Sequence, residues 1–197
     1  MKKHLFSALL CLFSPILWAF STSELAKTLQ KPNHLQGEFT QERHLKSLSK
    51  PMLTSGQFVL MPQKGLLWQM QKPFNSILRV RSDGIMQWNG KTWLNPNNGK
   101  LSGQSQQIQL FLDLLGGNTQ GLEKQFVLQL SGSPQKWTLQ LLPKSVLMQQ
   151  IFKQIDIQGD NVVRRIELHE KQGDRTVMQF KHIQINQTLS EFAQQAL

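Results

Sequence analysis

The chain has 197 residues and a formal net charge of +10 at neutral pH, with 22 Lys and Arg against 12 Asp and Glu. Its single cysteine, Cys11, excludes a disulfide framework and a zinc site built mainly from cysteines. The basic excess favours an anionic partner, either lipid headgroups or an acidic protein surface, although an ordinary solvated surface has the same composition.

Residues 1–21 have the organisation of a secretory signal. The signal begins with the positive charges of Lys2 and Lys3. Residues 5–17 then form an apolar core that is too short to span a bilayer. Residues 19–21 then offer a small-x-small cleavage site, and a cut after Ala19 is the alternative.

The rest of the chain, residues 22–197, is predicted to be one periplasmic domain. It contains no cysteine, so a packed core must stabilise it, and its length suffices for one. Cys11 follows Leu10, whereas a lipoprotein signal has a small residue there, so we expect no lipid anchor. Nucleic acid is not expected as a partner in the periplasm, and we expect a monomer.

The domain is predicted to begin with a short amphipathic helix over residues 23–29. Ser23 is a suitable N-cap, and Pro32 stops the helix. A strand over residues 35–45 follows, with its odd-numbered residues on one face.

Residues 56–90 carry the clearest strand pattern in the chain. Two prolines, an Asp-Gly pair and Asn89-Gly90 divide them into four short strands, and such dipeptides are typical of type I′ hairpin turns. Apolar residues alternate with polar ones between the turns, as in Leu66, Trp68 and Met70. A period of two at this density predicts a sheet with one strongly apolar face.

A sixth strand is predicted at 91–94 and a loop at 95–105. After the loop the apolar residues no longer alternate but recur with the period of a helix, so residues 106–115 are predicted to form a helix that ends at two glycines. Its apolar stripe at i, i+3, i+4 and i+7 consists of Ile108, Phe111, Leu112 and Leu115. Because the helix is apolar around most of its circumference, it needs cover on more than one side, either as a lid or as an ordinary core helix.

The last third of the chain returns to strands. A turn or helical piece is expected at 144–150, and a helix at 189–196 closes the chain. The five strands are predicted at 126–130, 137–142, 152–158, 162–170 and 175–185. With the first six they make a mainly β fold of about eleven antiparallel strands, a barrel or a strongly curved sheet.

The sequence contains no pattern of catalytic or metal-ligating residues. No two histidines after the signal are three to five residues apart, and no Gly-x-Ser-x-Gly elbow is present. Gly116 and Gly121 have the spacing of a P-loop, but Leu122-Glu123 replaces the required Lys-Ser/Thr. We therefore predict that the protein is not an enzyme and binds no cofactor or metal.

An ordered series of landmarks in this chain resembles the LolA-like family of periplasmic outer-membrane lipoprotein carriers. The landmarks are Phe39, Gln41, Phe58, Pro62, Trp68, Pro73, Ile77, Leu78, Ser82, Asp83, Gly84 and Trp88. The resemblance covers nearly the whole chain after the signal. It implies an incomplete antiparallel β-barrel whose mouth is closed by a helical lid.

The resemblance also implies an apolar cavity that binds acyl chains. The candidate cavity residues are Phe39, Phe58, Leu66, Trp68, Met70, Leu78, Val80, Trp88, Phe126, Leu128, Met178 and Phe180. The candidate lid residues are Ile108, Phe111, Leu112 and Leu115. The alternative is that the cavity residues fill the core of a small closed barrel.

By this resemblance, the protein carries lipidated cargo from an inner-membrane ABC transporter to an outer-membrane acceptor. LolA itself has an arginine just before the proline, which is thought to latch the lid, and Met61 stands at that position here. The cargo is therefore either a lipoprotein or another acyl lipid. The alternative function is a periplasmic lipid-sensing regulator; such regulators usually carry a further domain after the barrel, and this chain ends about where the barrel does.

Overall fold

Short strands make up most of the chain that the structure describes. The computed structural model describes residues 20–62, 64–82, 84–95, 110 and 112–197. The strands are β1 Leu35–His44, β2 Met52–Met61, β3 Gly65–Lys72, β4 Ser76–Arg81, β5 Gly84–Trp88, β6 Trp93–Leu94, β7 Phe126–Ser133, β8 Lys136–Pro143, β9 Phe152–Gly159, β10 Val163–Glu170 and β11 Arg175–Ile185. The helices are α1 Thr22–Gln30, α2 at residues 110 and 112–116, α3 Thr119–Gln125, α4 Val146–Ile151 and α5 Glu191–Ala196.

All eleven strands of the described residues belong to one antiparallel sheet that does not close. Its order is β6-β5-β4-β3-β2-β1-β11-β10-β9-β8-β7, so β6 and β7 form the two edges. The first and last strands pair at the centre, with Leu35 opposite Ile185 and His44 opposite Arg175. The predicted mainly β fold, an incomplete antiparallel barrel, is confirmed.

Alternation along the strands gives the sheet an apolar inner face. Directly paired residues share a face, and the pairs Phe58 with Trp68 and Trp68 with Leu78 continue one row across β2, β3 and β4. Residues of β7 to β11 extend the same face, and α1, α2 and α3 cover it. Its fully buried members include Leu25, Leu66, Leu141, Ile155 and Ile166.

The outer face of β2 and β3 is covered by the last helix. Val59 and Leu67 pack against Leu189, Ala193 and Ala196 in a second apolar cluster. This part of the sheet is therefore buried on both faces, which accounts for the run of adjacent apolar residues in β2 and β3.

Helix α1 begins two residues earlier than its predicted cap implies. Ser21, rather than Ser23, is the N-cap: its hydroxyl accepts a hydrogen bond from the Glu24 backbone N–H at 3.2 Å. The Glu24 carboxylate accepts from the Ser21 backbone N–H at 2.8 Å, which completes a capping box. That backbone hydrogen bond is the main cause that lowers the pKa of the Glu24 carboxyl. Phe20 is partly buried against the inner core, so both residues contribute to the folded domain.

We expect a mature protein that starts at Phe20 to be more stable than one that starts at Thr22. The shorter form lacks the Ser21 cap, whose loss costs about 1 kcal/mol, and also lacks the contact of Phe20 with the core. Urea denaturation of the two forms measures the difference, and Ser21→Ala in the longer form isolates the cap. Equal midpoints for all three proteins would contradict this expectation. Intact-mass measurement of the exported protein then shows whether the cut follows Ala19.

Two local predictions need correction. Helix α3 was not predicted, although Asn118 caps it by accepting from the Gly121 backbone N–H at 3.1 Å. Asn89-Gly90 does not form a two-residue type I′ turn, because Trp88 pairs with Trp93 and the loop has four residues. The Asn89 side chain stabilises that loop by accepting from the backbone N–H groups of Lys91 and Thr92.

Among the described residues, no helix is both long and apolar enough to cross a membrane.

Candidate functional site

Aromatic side chains occupy the centre of the inner face. Phe39 and Trp68 stack with their ring centroids 3.6 Å apart, and Phe180 meets Trp68 edge-on at 6.3 Å. Phe58 meets Phe180 at 5.3 Å, also edge-on. These residues come from β1, β2, β3 and β11, so the central pairing of the first and last strands assembles them. The centre of the inner face is therefore filled by its own side chains.

Helix α2 packs onto this inner face. Leu110, Leu114 and Leu115 are buried in the inner core, and Leu112 packs against it while partly buried. Leu112 and Leu115 thus contact the barrel interior, where a lid in its closed position would lie. The other two predicted lid residues, Ile108 and Phe111, lie outside the described residues.

The C-terminal end of α2 is held by α1. Gln30 Nε2 donates a hydrogen bond to the Gly117 carbonyl at 3.0 Å. Gly117 has a φ of 68°, and a Cβ on it would lie 2.5 Å from Leu29 Cβ. Only glycine therefore fits this turn, because any side chain would meet both backbone strain and Leu29. These contacts fix the C-terminal end of α2 against α1.

Asp113 joins α2 to the start of α3. It is 7% exposed, and its Oδ1 accepts from Asn118 Nδ2 at 2.9 Å. A Cβ on Gly121 would lie 2.5 Å from Asp113 Oδ2, so the two helices approach closely. Helices α2 and α3 therefore form one unit across the inner face.

Pockets border α2 on three sides. One of about 310 Å³ lies between Leu112 and the Met61 end of β2. A second of about 300 Å³ lies between Leu110, Leu122 and Met148. A third of about 350 Å³ is lined by five apolar residues and an ion pair: Leu110, Leu114, Ile151, Phe152 and Leu168, together with Arg43 and Glu170. Each is at the small end of the range for ligand sites, about 300–1,000 Å³.

Most of the predicted cavity residues come together on the inner face. Seven are buried in its core and three pack against that core while partly buried. They are Phe39, Phe58, Leu66, Val80, Phe126, Met178 and Phe180, followed by Trp68, Met70 and Leu128. Leu78 is half-buried and pairs with Trp68 in the same row.

Trp88 is the exception, because it lies on the outer face. Its ring is 5.2 Å from that of Trp93 and 5.4 Å from that of Phe192 on α5. The hairpin between β4 and β5 pairs Arg81 with Gly84, so even-numbered residues face inward in β4 and odd-numbered ones in β5. The prediction continued the even-numbered face across this turn and was wrong for Trp88.

The outer face of β9 to β11 is polar and charged. Glu167 accepts from Arg165 at 2.6 Å and from Arg175 at 3.1 Å, and His169 lies 3.2 Å from Asp156. Burial acts to raise the pKa of the Glu167 carboxyl, but the hydrogen bond and charge of Arg165 and the charge of Arg175 outweigh it and hold that pKa below its usual value. The pockets around α2 border the apolar inner face instead, and they are the candidate ligand site.

Comparison with solved structures finds the same fold in a distantly related protein and a weaker likeness to others. MucB in complex with the periplasmic part of MucA aligns at a TM-score of 0.50 and 13% identity, over 88% of this chain and 56% of the MucB chain. This chain therefore spans little more than half of the MucB chain. A LolA superfamily protein from Nitrosomonas europaea, NE2245, aligns at 0.46 and 8% identity, over 87% of this chain and 96% of that one.

The sequence comparisons give a family assignment. No curated protein sequence matches the chain significantly. The family model described as "Outer membrane lipoprotein carrier protein LolA-like" matches residues 18–181, which include β1 to β10 and most of β11. The chain therefore belongs to the LolA-like family of outer membrane lipoprotein carrier proteins.

Proposed function

We propose that the protein is a non-enzymatic periplasmic carrier that shields the acyl chains of a lipoprotein or another lipid between the inner and outer membranes. One observation carries the proposal: three pockets lie between α2 and other residues of the apolar inner core, and the contacts of α2 with the inner face are mainly apolar. If α2 moved away, the pockets would join over the inner face.

The need for such a carrier is thermodynamic. Each buried methylene contributes about 0.8 kcal/mol, so exposing one long acyl chain to water costs on the order of 10 kcal/mol. A carrier must cover most of that apolar surface and still release it to an acceptor. A helix whose described contacts with the inner face are mainly those of leucines satisfies both requirements, because acyl chains can replace the leucine contacts.

Donor and acceptor belong to the same proposal. Cargo would enter from an inner-membrane transporter and leave to an outer-membrane acceptor, as the family name implies. With Met61 at the latch position, release of α2 depends on competition between apolar contacts rather than on breaking an ion pair or hydrogen bond of an arginine.

The second candidate is a regulatory binding protein. Its support is the fold shared with MucB, whose solved structure is a complex with MucA. In that case the inner face would bind a lipid signal, and a protein partner would respond to it.

Mass spectrometry of material co-purified with the protein from the periplasm tests the proposal. We expect an acyl lipid or a lipidated protein in near-equimolar amount, and its loss in a Met70→Glu variant. If the protein purified from the periplasm carried no lipid but a tightly bound protein without a lipid anchor, that result would favour the regulator instead.

A further inference from the structure

Four connections between strands meet at one end of the sheet, which we call the hairpin end. They are residues 45–51, 73–75, 89–92 and 171–174. The register places them together: His44 is opposite Arg175, and Ser55, near the start of β2, is opposite Lys72. Helix α4 reaches the same end, where the Lys171 backbone N–H donates to the Ile151 carbonyl at 2.8 Å.

The hairpin end exposes large apolar side chains. Phe74 is 76% exposed, Leu53 62%, Met52 53% and Leu48 52%. Leu48, Met52 and Leu53 lie on the β1–β2 hairpin. Phe74 lies in the connection of the neighbouring β3–β4 hairpin. Large exposed apolar side chains that gather at one end of a fold are typical of a surface that contacts a partner or a membrane.

Lysines surround these apolar side chains. Lys46, Lys50, Lys72, Lys91 and Lys171 are all exposed at this end. The nearby carboxylates are largely engaged within the protein. Arg43 lies 3.2 Å from Glu170 and 3.8 Å from Asp174, and Asp174 also accepts from the Lys46 backbone N–H at 2.9 Å. Glu42 lies 3.4 Å from His44. The hairpin end therefore presents a net positive charge around apolar tips.

We propose that the hairpin end docks onto the surface of an anionic phospholipid bilayer. Apolar side chains that enter the headgroup region, together with lysines that attract anionic lipid, are the two components of interfacial binding. A protein partner fits less well, because lysine, the residue that surrounds these side chains, is depleted in protein interfaces. The apolar residues here lie on two separate hairpins.

Docking in this orientation also places a pocket at the membrane. Arg43 and Glu170 line the same pocket as Leu110, Leu114 and Phe152, and both lie where β1 and β10 reach the hairpin end. An acyl chain could then pass between bilayer and pocket without crossing water. The transfer of an acyl chain between bilayer and pocket rests on the proposed carrier function, whereas the docking of the hairpin end onto the bilayer does not.

Sedimentation with vesicles tests the proposal. The full mature protein is mixed with vesicles of phosphatidylcholine alone and of phosphatidylcholine with phosphatidylglycerol, at low and high salt. We expect it to bind the anionic vesicles, to bind the neutral ones far more weakly, and to be released by salt. Protein that stays in the supernatant with both kinds of vesicle would overturn the proposal.

Matched variants locate the contact. Phe74→Ser and Leu53→Ser should each weaken binding about tenfold or more, and Lys50→Gln with Lys72→Gln should weaken binding only to the anionic vesicles. Ile185→Ser is the control, because Ile185 is 43% exposed at the opposite end of β11. Equal binding by the Phe74 and Leu53 variants and the unchanged protein would refute docking through this end. A melting curve checks that each variant is folded.

Binding of a fluorescent fatty acid without vesicles separates this proposal from the carrier function. Phe74→Ser should lose vesicle binding and keep fatty-acid binding. A protein that binds vesicles through Phe74 but never binds the fatty acid would support docking and contradict the carrier.

Discussion

Met70→Glu is expected to abolish binding of a fluorescent fatty acid, lowering the affinity by a factor of 100 or more. Met70 is partly buried against the inner core, next to the row of Phe58, Trp68 and Leu78. A carboxylate there would lie unpaired among acyl chains, which costs several kcal/mol, and each 1.4 kcal/mol corresponds to about a tenfold change in affinity.

The neighbouring residue supplies the matched control. Gln69 is on the same strand but faces outward, opposite Gln57, so Gln69→Glu adds the same charge on the other face. We expect Gln69→Glu to bind the probe normally. If a folded Met70→Glu protein bound as tightly as Gln69→Glu, the inner face would not be the ligand site.

Leu115→Ala is expected to speed entry of a fluorescent acyl probe while destabilising the protein less than a strand truncation does. Leu115 is buried at the end of α2, and the substitution removes part of its contact with the inner core. On the proposed carrier function α2 is a lid that yields to cargo, so we expect its closed state to be favoured by only about 1–3 kcal/mol.

Leu141→Ala is the corresponding truncation in a strand. Leu141 is fully buried in β8, where the same change should cost about 2–5 kcal/mol of unfolding free energy without changing probe entry. Hydrogen exchange should show residues 112–116 less protected than the strands around Trp68 and Trp137. Equal protection, with unchanged probe entry in Leu115→Ala, would make α2 an ordinary core helix.

Strand periodicity made most of the fold predictable from the sequence. The alternation of Leu66, Trp68 and Met70 identified the inner face, and the change of period at 106–115 identified an apolar helix whose described residues are helical. These signals are strong because burial on one side imposes a repeat that spans many residues.

Features set by single turns were not predictable. Trp88 was assigned to the wrong face because even-numbered residues face inward before the β4–β5 hairpin and odd-numbered residues face inward after it. The alternation of apolar residues within a strand does not show such a change at a turn. Helix α3 was missed because its short sequence is mostly polar and contains Gly121, so it carries no apolar stripe. Ser21 and Ser23 are equally good N-caps, and only the structure shows which one is used.

The pairing of β1 with β11 has a consequence for how the chain is made. When a polypeptide emerges with its N-terminus first, β1 is available long before β11. The central pairing of β1 with β11 therefore cannot form until synthesis or translocation is nearly complete. Until then one edge of β1 is an unpaired template for aggregation. We expect the nascent chain to remain extended enough to pass through a narrow channel, and to need a holding chaperone until its final strand arrives.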